Sequence, residues 1–267
     1  MVQITQTHIH VGLSAPVRIL HITDVHLTEA DSQDTQEHHQ LEATRKAQFA
    51  QDCPSVTTNQ HFEEAIRLSQ EQNMLLVNTG DAIDIHTHGN IAELRRIIQG
   101  HDMMFTPGGH EHQRVCRRTM EEEYPYWETV RPQLQKELPE FDLDFSSRIV
   151  NGLNIVCADN SLDYYSPVTL ARFKEELDRG LPILVFSHDP IWDELLQHKA
   201  PYHPNVRLTP ADYEASHEML DLLLHHPLVI ATIGGHGHRD EQREIDGKLH
   251  YMTDGLFRGA CRSILIT

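Results

Sequence analysis

Six short apolar runs punctuate an otherwise polar chain, at residues 17–22, 74–78, 103–105, 153–158, 183–186 and 229–233. Each is too short for a buried helix, and each ends in polar or glycine-bearing residues, the pattern of strands buried on both faces. Between most of them, apolar residues recur at helical spacing, over roughly residues 61–72, 90–99, 168–179 and 211–225. Alternation of this kind predicts an α/β architecture in which helices cross over the faces of a sheet. The last two extended segments, 248–253 and 261–266, follow one another without room for a helix and predict an antiparallel hairpin at a sheet edge.

Two stretches break this economy. Residues 29–59 are rich in Gln, Glu, His and Asp, with helix formers between 36 and 51, and exceed an ordinary connection. They read as a cap or lid beside a site. Residues 114–145 mix aromatic and proline residues with charges, including Tyr124, Trp127 and Pro132, and could wall a pocket. No repeat and no linker composition divides the chain, so residues 1–267 are expected to form a single domain carrying these two insertions.

Charge narrows the partners. Lys and Arg total 22 against 40 Asp and Glu, a formal charge of -18, which repels an extended nucleic-acid backbone. No apolar stretch is long enough to span a bilayer and the first residues lack a signal-peptide pattern, so neither membrane nor secretion is expected. Four cysteines, at 53, 116, 157 and 261, form no CxxC pair and read as reduced thiols of a cytoplasmic protein. The 21 histidines exceed what packing requires and are the first hint of metal chemistry.

That chemistry collects where apolar runs end. The run at 17–22 leads into Asp24-Val25-His26, read as an extended segment whose carboxylate and imidazole point the same way. The run at 74–78 leads into Gly80-Asp81-Ala82-Ile83-Asp84, and the run at 103–105 into Gly108-Gly109-His110-Glu111. The runs at 183–186 and 229–233 deliver Ser187-His188-Asp189-Pro190 and Gly234-Gly235-His236-Gly237-His238. Open sheets place their sites beyond the carboxyl ends of strands, so five such ends predict one convergent site. Mixed carboxylates and imidazoles suit zinc, manganese or iron, whereas magnesium or calcium would ask for oxygen. His8, His10, His38, His39, His225 and His226 sit at no strand end and are expected on the surface.

In these motifs and their order the sequence resembles the calcineurin-like metallophosphoesterases, whose consensus reads D-x-H, G-D-x-x-D, G-N-H-E or D, a lone histidine, and G-H-x-H. The matches span nearly the whole chain, from residue 17 to 266. The resemblance implies a four-layer αββα sandwich, two mixed β-sheets face to face flanked by helices. It implies a binuclear centre of two transition-metal ions, manganese, iron or zinc. One ion would be held by Asp24, His26, Asp81 and His238, the second by Asp81, His188 and His236. The family's asparagine ligand is replaced by Gly109, so the second ion would gain a water, borrow Glu111 or bind more weakly. His110 corresponds to the family's phosphoryl-contacting histidine and general-acid candidate, and Asp84 is placed to orient it. Asp189 is a candidate acceptor for a ligand imidazole.

The implied reaction is hydrolysis of a small phosphomonoester or phosphodiester by a bridging hydroxide attacking in line. Arg114, Arg117 and Arg118 could clamp a second phosphate. Two other readings remain: a catalytically weak scaffold of the same fold, motivated by Gly109, and a metallohydrolase acting on a carbonyl.

Overall fold

The computed structural model describes residues 2–113, 120–192 and 208–267, with only the backbone described over 120–128. In chain order the first half contains β1 (Gln3–Ile9), β2 (Val17–Ile22), α1 (Gln36–Asp52), α2 (Thr58–Glu71), β3 (Leu75–Asn78), α3 (His88–Ile98), β4 (Met103–Phe105) and α4 (Met120–Glu137). The second half contains β5 (Phe145–Val150), β6 (Leu153–Ala158), α5 (Pro167–Leu177), β7 (Ile183–Phe186), α6 (Pro210–His225), β8 (Val229–Gly234), β9 (Glu241–Ile245), β10 (Lys248–Met252) and β11 (Ala260–Ile266).

The strands build two mixed sheets, ordered β1-β11-β2-β3-β4 and β5-β6-β7-β8-β10-β9. In the first, β2, β3 and β4 run parallel and β11 is antiparallel to β2; in the second, β6, β7 and β8 run parallel. The apolar runs are unbroken because each strand divides its side chains between two dry layers. Val17 and Ile19 of β2 meet Ile155, Leu184 and Phe186 of the other sheet between the sheets, while Leu20 and Ile22 pack outward with Phe62, Ile66 and Leu94 of α2 and α3. Val156, Ile183 and Val185 pack outward likewise with Phe173 of α5 and Met219 and Leu223 of α6. The four layers expected from the family resemblance are present.

Helix starts are set locally. Thr57 and Gln60 form a reciprocal capping box at α2, Thr209 and Asp212 another at α6, and Thr87 and Ser166 cap α3 and α5. Within the second insertion, α4 runs through Pro125 and Pro132.

Two expectations change. Residues 248–253 and 261–266 do not pair: β10 lies between β8 and β9, whereas β11 crosses to the other sheet and sits between β1 and β2. There Ile264 and Ile266 are buried between the sheets. The actual hairpin joins β9 to β10 through Asp246-Gly247, both at positive φ, the conformation an Asp-Gly turn favours. Strand β1 gives little apolar signal because it gains ladder hydrogen bonds more than burial; of its residues Thr7 alone is buried. His38 is buried rather than exposed, turned inward from α1 against Asp34 at 3.4 Å, whereas His8, His10, His39 and His225 are exposed.

Cys53, Cys157 and Cys261 are free thiols, and burial pushes those of Cys157 and Cys261 up to about 12. No described helix is long and apolar enough to cross a membrane.

Candidate metal centre

Five loops meet at the carboxyl ends of β2, β3, β4, β7 and β8. Backbone bonds knit them before any side chain does: the Asp24 and His26 N–H groups donate to the Gly80 and Asp81 carbonyls at 2.9 Å each, and Gly235 N–H donates to the His188 carbonyl at 2.8 Å. The Asp24-His26 pair is not extended. Asp24, His26, Asp81, His236 and His238 all have positive φ, between 46° and 64°. Non-glycine residues hold that conformation at a cost of about 1–3 kcal/mol each, and such strain concentrates at functional sites. The left-handed turns, not strand alternation, swing these side chains onto one point.

The six proposed ligands converge there. Asp24 Oδ1 lies 3.0 Å from His238 Nε2 and 3.8 Å from His26 Nε2, and the two imidazole nitrogens are 3.4 Å apart. Asp81 Oδ2 stands between two groups of donors, 3.9 Å from His26 Nε2 and 3.3 Å from His188 Nε2. The His236 ring meets His188 edge-on at 5.2 Å and remains half exposed at the mouth, its Nδ1 3.4 Å from Asp189. Asp24, Asp81, His26 and His188 are buried.

This donor set fits metal ions on its own chemistry. His188 Nδ1 donates to the Thr79 carbonyl at 2.7 Å, which leaves the lone pair of a neutral ring on Nε2. That Nε2 is buried, has no hydrogen-bond partner, and faces a carboxylate oxygen. Two lone pairs at that separation call for a cation between them. In its absence, burial disfavours His188 protonation but the Asp81, Asp24 and Asp189 carboxylates outweigh it and raise its affinity for a proton well above the ordinary histidine value. Burial would likewise raise the Asp24 carboxyl, yet the His238 hydrogen bond and the His188 charge hold it at about 2.

His110, a quarter exposed, meets the His26 ring edge-on at 4.7 Å, and its N–H donates to Asp81 Oδ1 at 2.9 Å. Its Nδ1 donates to the backbone carbonyl of Asp84 at 2.6 Å; the Asp84 carboxylate is farther, at 3.6 Å. Orientation of His110 by Asp84 therefore runs through the main chain. The carboxylate itself stands 3.1 Å from His26 Nδ1 and takes two bonds from Arg45.

Glu111 cannot also serve as a replacement ligand in this arrangement. Its two oxygens accept the N–H groups of Asp81, Ala82, Ile83 and Gly108 at 2.6–3.2 Å, tying the β3 and β4 loops together. Burial and the neighbouring Asp81 charge push its carboxyl up to about 7. Gly109 is right-handed, and a Cβ there would meet only the Ser161 carbonyl, at 3.6 Å, so crowding does not explain the missing asparagine. Arg114, Arg117 and Arg118 lie outside the described residues.

Sequence reasoning missed Arg45, Phe49 and Phe257. Phe49 stacks on His26 at 5.5 Å, and Phe257 meets the rings of His26 and His238 at 5.5 and 4.9 Å. Phe49 and Phe257 also line a cavity of about 560 Å³ with Lys46, Cys53, Val56 and Asn59. No local signal marks these residues, because their partners are remote in sequence.

Among solved structures, a dimetal phosphatase from Danio rerio is similar at 15% identity and a TM-score of 0.54, over 92% of this chain and 91% of that one. A phosphopantetheinyl hydrolase from Mycobacterium tuberculosis is similar at 12% identity and a TM-score of 0.45, over 92% of each chain. No curated protein matches the sequence. The model of the calcineurin-like phosphoesterase family matches residues 17–240. With the strand-end loops of the fold carrying candidate clusters of aspartate and histidine for the dimetal centre such a family implies, the chain belongs to the calcineurin-like phosphoesterases.

Proposed function

We propose that the chain hydrolyses a small phosphoester at a binuclear centre formed by Asp24, His26, Asp81, His188, His236 and His238. The observation that carries this reading is Asp81, whose Oδ2 lies within 4 Å of imidazole nitrogens from two separate loops and so stands where a bridging ligand belongs. Two bound ions would supply a Lewis-acid clamp and an activated water. Asp24, Asp81 and the four imidazoles would hold those ions, and Glu111 holds the Asp81 loop against the His110 loop. With its Nδ1–H donated to the Asp84 carbonyl, His110 would deliver a proton from Nε2 as the imidazolium, and the neutral Nδ1–H ring would remain once the leaving oxygen has taken it. The charge of -18 favours small substrates over long polyanions.

The test is metal-stripped protein titrated with manganese, zinc or iron, with bound metal counted and aryl phosphate monoesters and diesters as reporters. Turnover should rise as occupancy approaches about two ions per chain. His110→Ala should keep the metal and lose about 10²–10⁴-fold in kcat, most for poor leaving groups. No turnover at full occupancy with any metal and either ester would overturn the reaction. An equal loss across leaving groups would overturn the acid role of His110.

A further inference from the structure

Helix α1 has almost no apolar face: over Gln36–Asp52 only His38 is buried. Burial alone does not dock such a helix, so its specific contacts decide where it sits. Beside ion pairs of Lys46 to Glu29 and Asp52 to Arg258, the contacts of Arg45 and Phe49 lead to one metal-ligand candidate. Arg45 places Nε and Nη2 on the two oxygens of Asp84 at 2.6 Å each, and the Asp84 side chain is fully buried. Asp84 Oδ1 stands 3.1 Å from His26 Nδ1. One turn further along α1, Phe49 stacks on the His26 ring with an interplanar angle of 26°, and the Arg45 guanidinium lies over the Phe49 ring at 4.8 Å. Positions 45 and 49 share a helix face. That face therefore reaches one imidazole by two routes, through Asp84 at its Nδ1 and through Phe49 at its ring.

We propose that α1 is a clamp for His26, with Arg45 and Phe49 as positioning residues that aim His26 Nε2 at the space between Asp24 and Asp81. The proposal rests on the metal-centre reading above and not on the reaction. A bidentate guanidinium fixes both oxygens of a carboxylate and hence its plane, which a lysine cannot do. Asp84 so fixed, and a ring stacked on one face, leave His26 little rotational freedom. By linkage, metal held by His26 then stabilises docking of α1, and docked α1 tightens the metal to the same degree. The first insertion is in this view a part of the centre rather than only a lid over it.

The full chain, stripped of metal, is titrated with manganese by equilibrium dialysis, with hydrogen exchange followed over residues 36–52. In the wild type, loading should slow exchange in α1. Arg45→Met should weaken the tighter manganese site about 10–100-fold, the size of effect that losing a ligand's support has at metal sites, and remove that slowing. Arg45→Lys should recover only part of the affinity, and Phe49→Leu should fall between wild type and Arg45→Met. Lys46→Met breaks two solvent-exposed ion pairs, one to Glu42 on the same helix and one to Glu29 in the loop after β2, each worth little in water, and touches neither Asp84 nor His26, so it should change neither readout. Manganese affinity of folded Arg45→Met within about twofold of wild type overturns the clamp, and so does an equal loss in Lys46→Met. Should Arg45→Met not fold, Arg45→Lys carries the test, and wild-type affinity in that variant overturns the bidentate role. Failure of the wild type to bind manganese overturns clamp and metal centre together; manganese binding without ester hydrolysis overturns only the proposed reaction.

Discussion

Replacing Gly235 by alanine would add one methyl group where the centre has no room for it. A Cβ at Gly235 would stand 1.9 Å from Thr23 Oγ1 and 2.6 Å from Asp24 Oδ2, and real Cβ contacts essentially never fall below 3.0 Å. Thr23 must then move by more than about 1 Å, and Thr23 and Asp24 are both fully buried, so there is no solvent to move into. The Thr23 hydroxyl donates to Asp24 Oδ2 at 2.8 Å, and the same oxygen accepts the His236 N–H at 3.0 Å. Overpacking of this kind costs about 1–3 kcal/mol. Loss of a hydrogen bond to a charged group adds about 1.5–3 kcal/mol. Together they predict a fall in melting temperature of roughly 5–20 °C for a chain of this size. A shifted Asp24 should also weaken metal binding by at least about tenfold. The assay is thermal unfolding of metal-free protein followed by metal titration, with Gly109→Ala as the matched control. Gly109 is right-handed and open, so its alanine variant should be neutral or slightly stabilised. A Gly235→Ala protein that melts and binds metal like Gly109→Ala would refute the reasoning.

Two further perturbations probe the same architecture. Gly109→Asn restores the family's amide at a position where its Cβ fits, and manganese titration should show the weaker of two sites tightening while the stronger is unchanged; two unaltered affinities would remove Gly109 as the cause of a weak second site. His21 is fully buried between the Thr253 and Thr79 hydroxyls, and burial, helped by Arg262, lowers its pKa to about 3. The unfolded chain therefore binds a proton that the folded one refuses, so stability rises with pH across that window and falls as pH drops below about 6.5. At pH 5 the penalty is about 2 kcal/mol, and denaturation of wild type and His21→Asn from pH 7 to 5 should give converging stabilities; parallel profiles would exclude it.

Much of this protein was legible in the chain because its information is local. An apolar run of four to six residues buried on both faces has no polar face to hide, so β2, β3, β6, β7 and β8 announce themselves within about a residue. Helix positions were legible from apolar spacing, although the start of α2 at Thr58, three residues before the predicted one, is set by the Thr57–Gln60 capping box that the apolar pattern does not show. The ligand motifs lie directly after those strands, so their convergence follows from parallel strands sharing one carboxyl end.

What only the tertiary structure decided involves partners that sequence distance conceals. Strand β11 leaves its sequence neighbour β10 for the other sheet, where it pairs with both β1 and β2, a choice between partners that no local pattern contains. The candidate ligands converge through left-handed backbone at Asp24, His26, Asp81, His236 and His238, strain that single residues do not advertise and that backbone bonds from neighbouring loops sustain. Glu111 gives its carboxylate to four N–H groups of two loops, and Arg45 reaches Asp84 across 39 positions of sequence. Residue type and spacing named the ligand candidates. The supports that aim them depend on through-space contact between elements, and contact exists only once the sheets have stacked and the helices have docked.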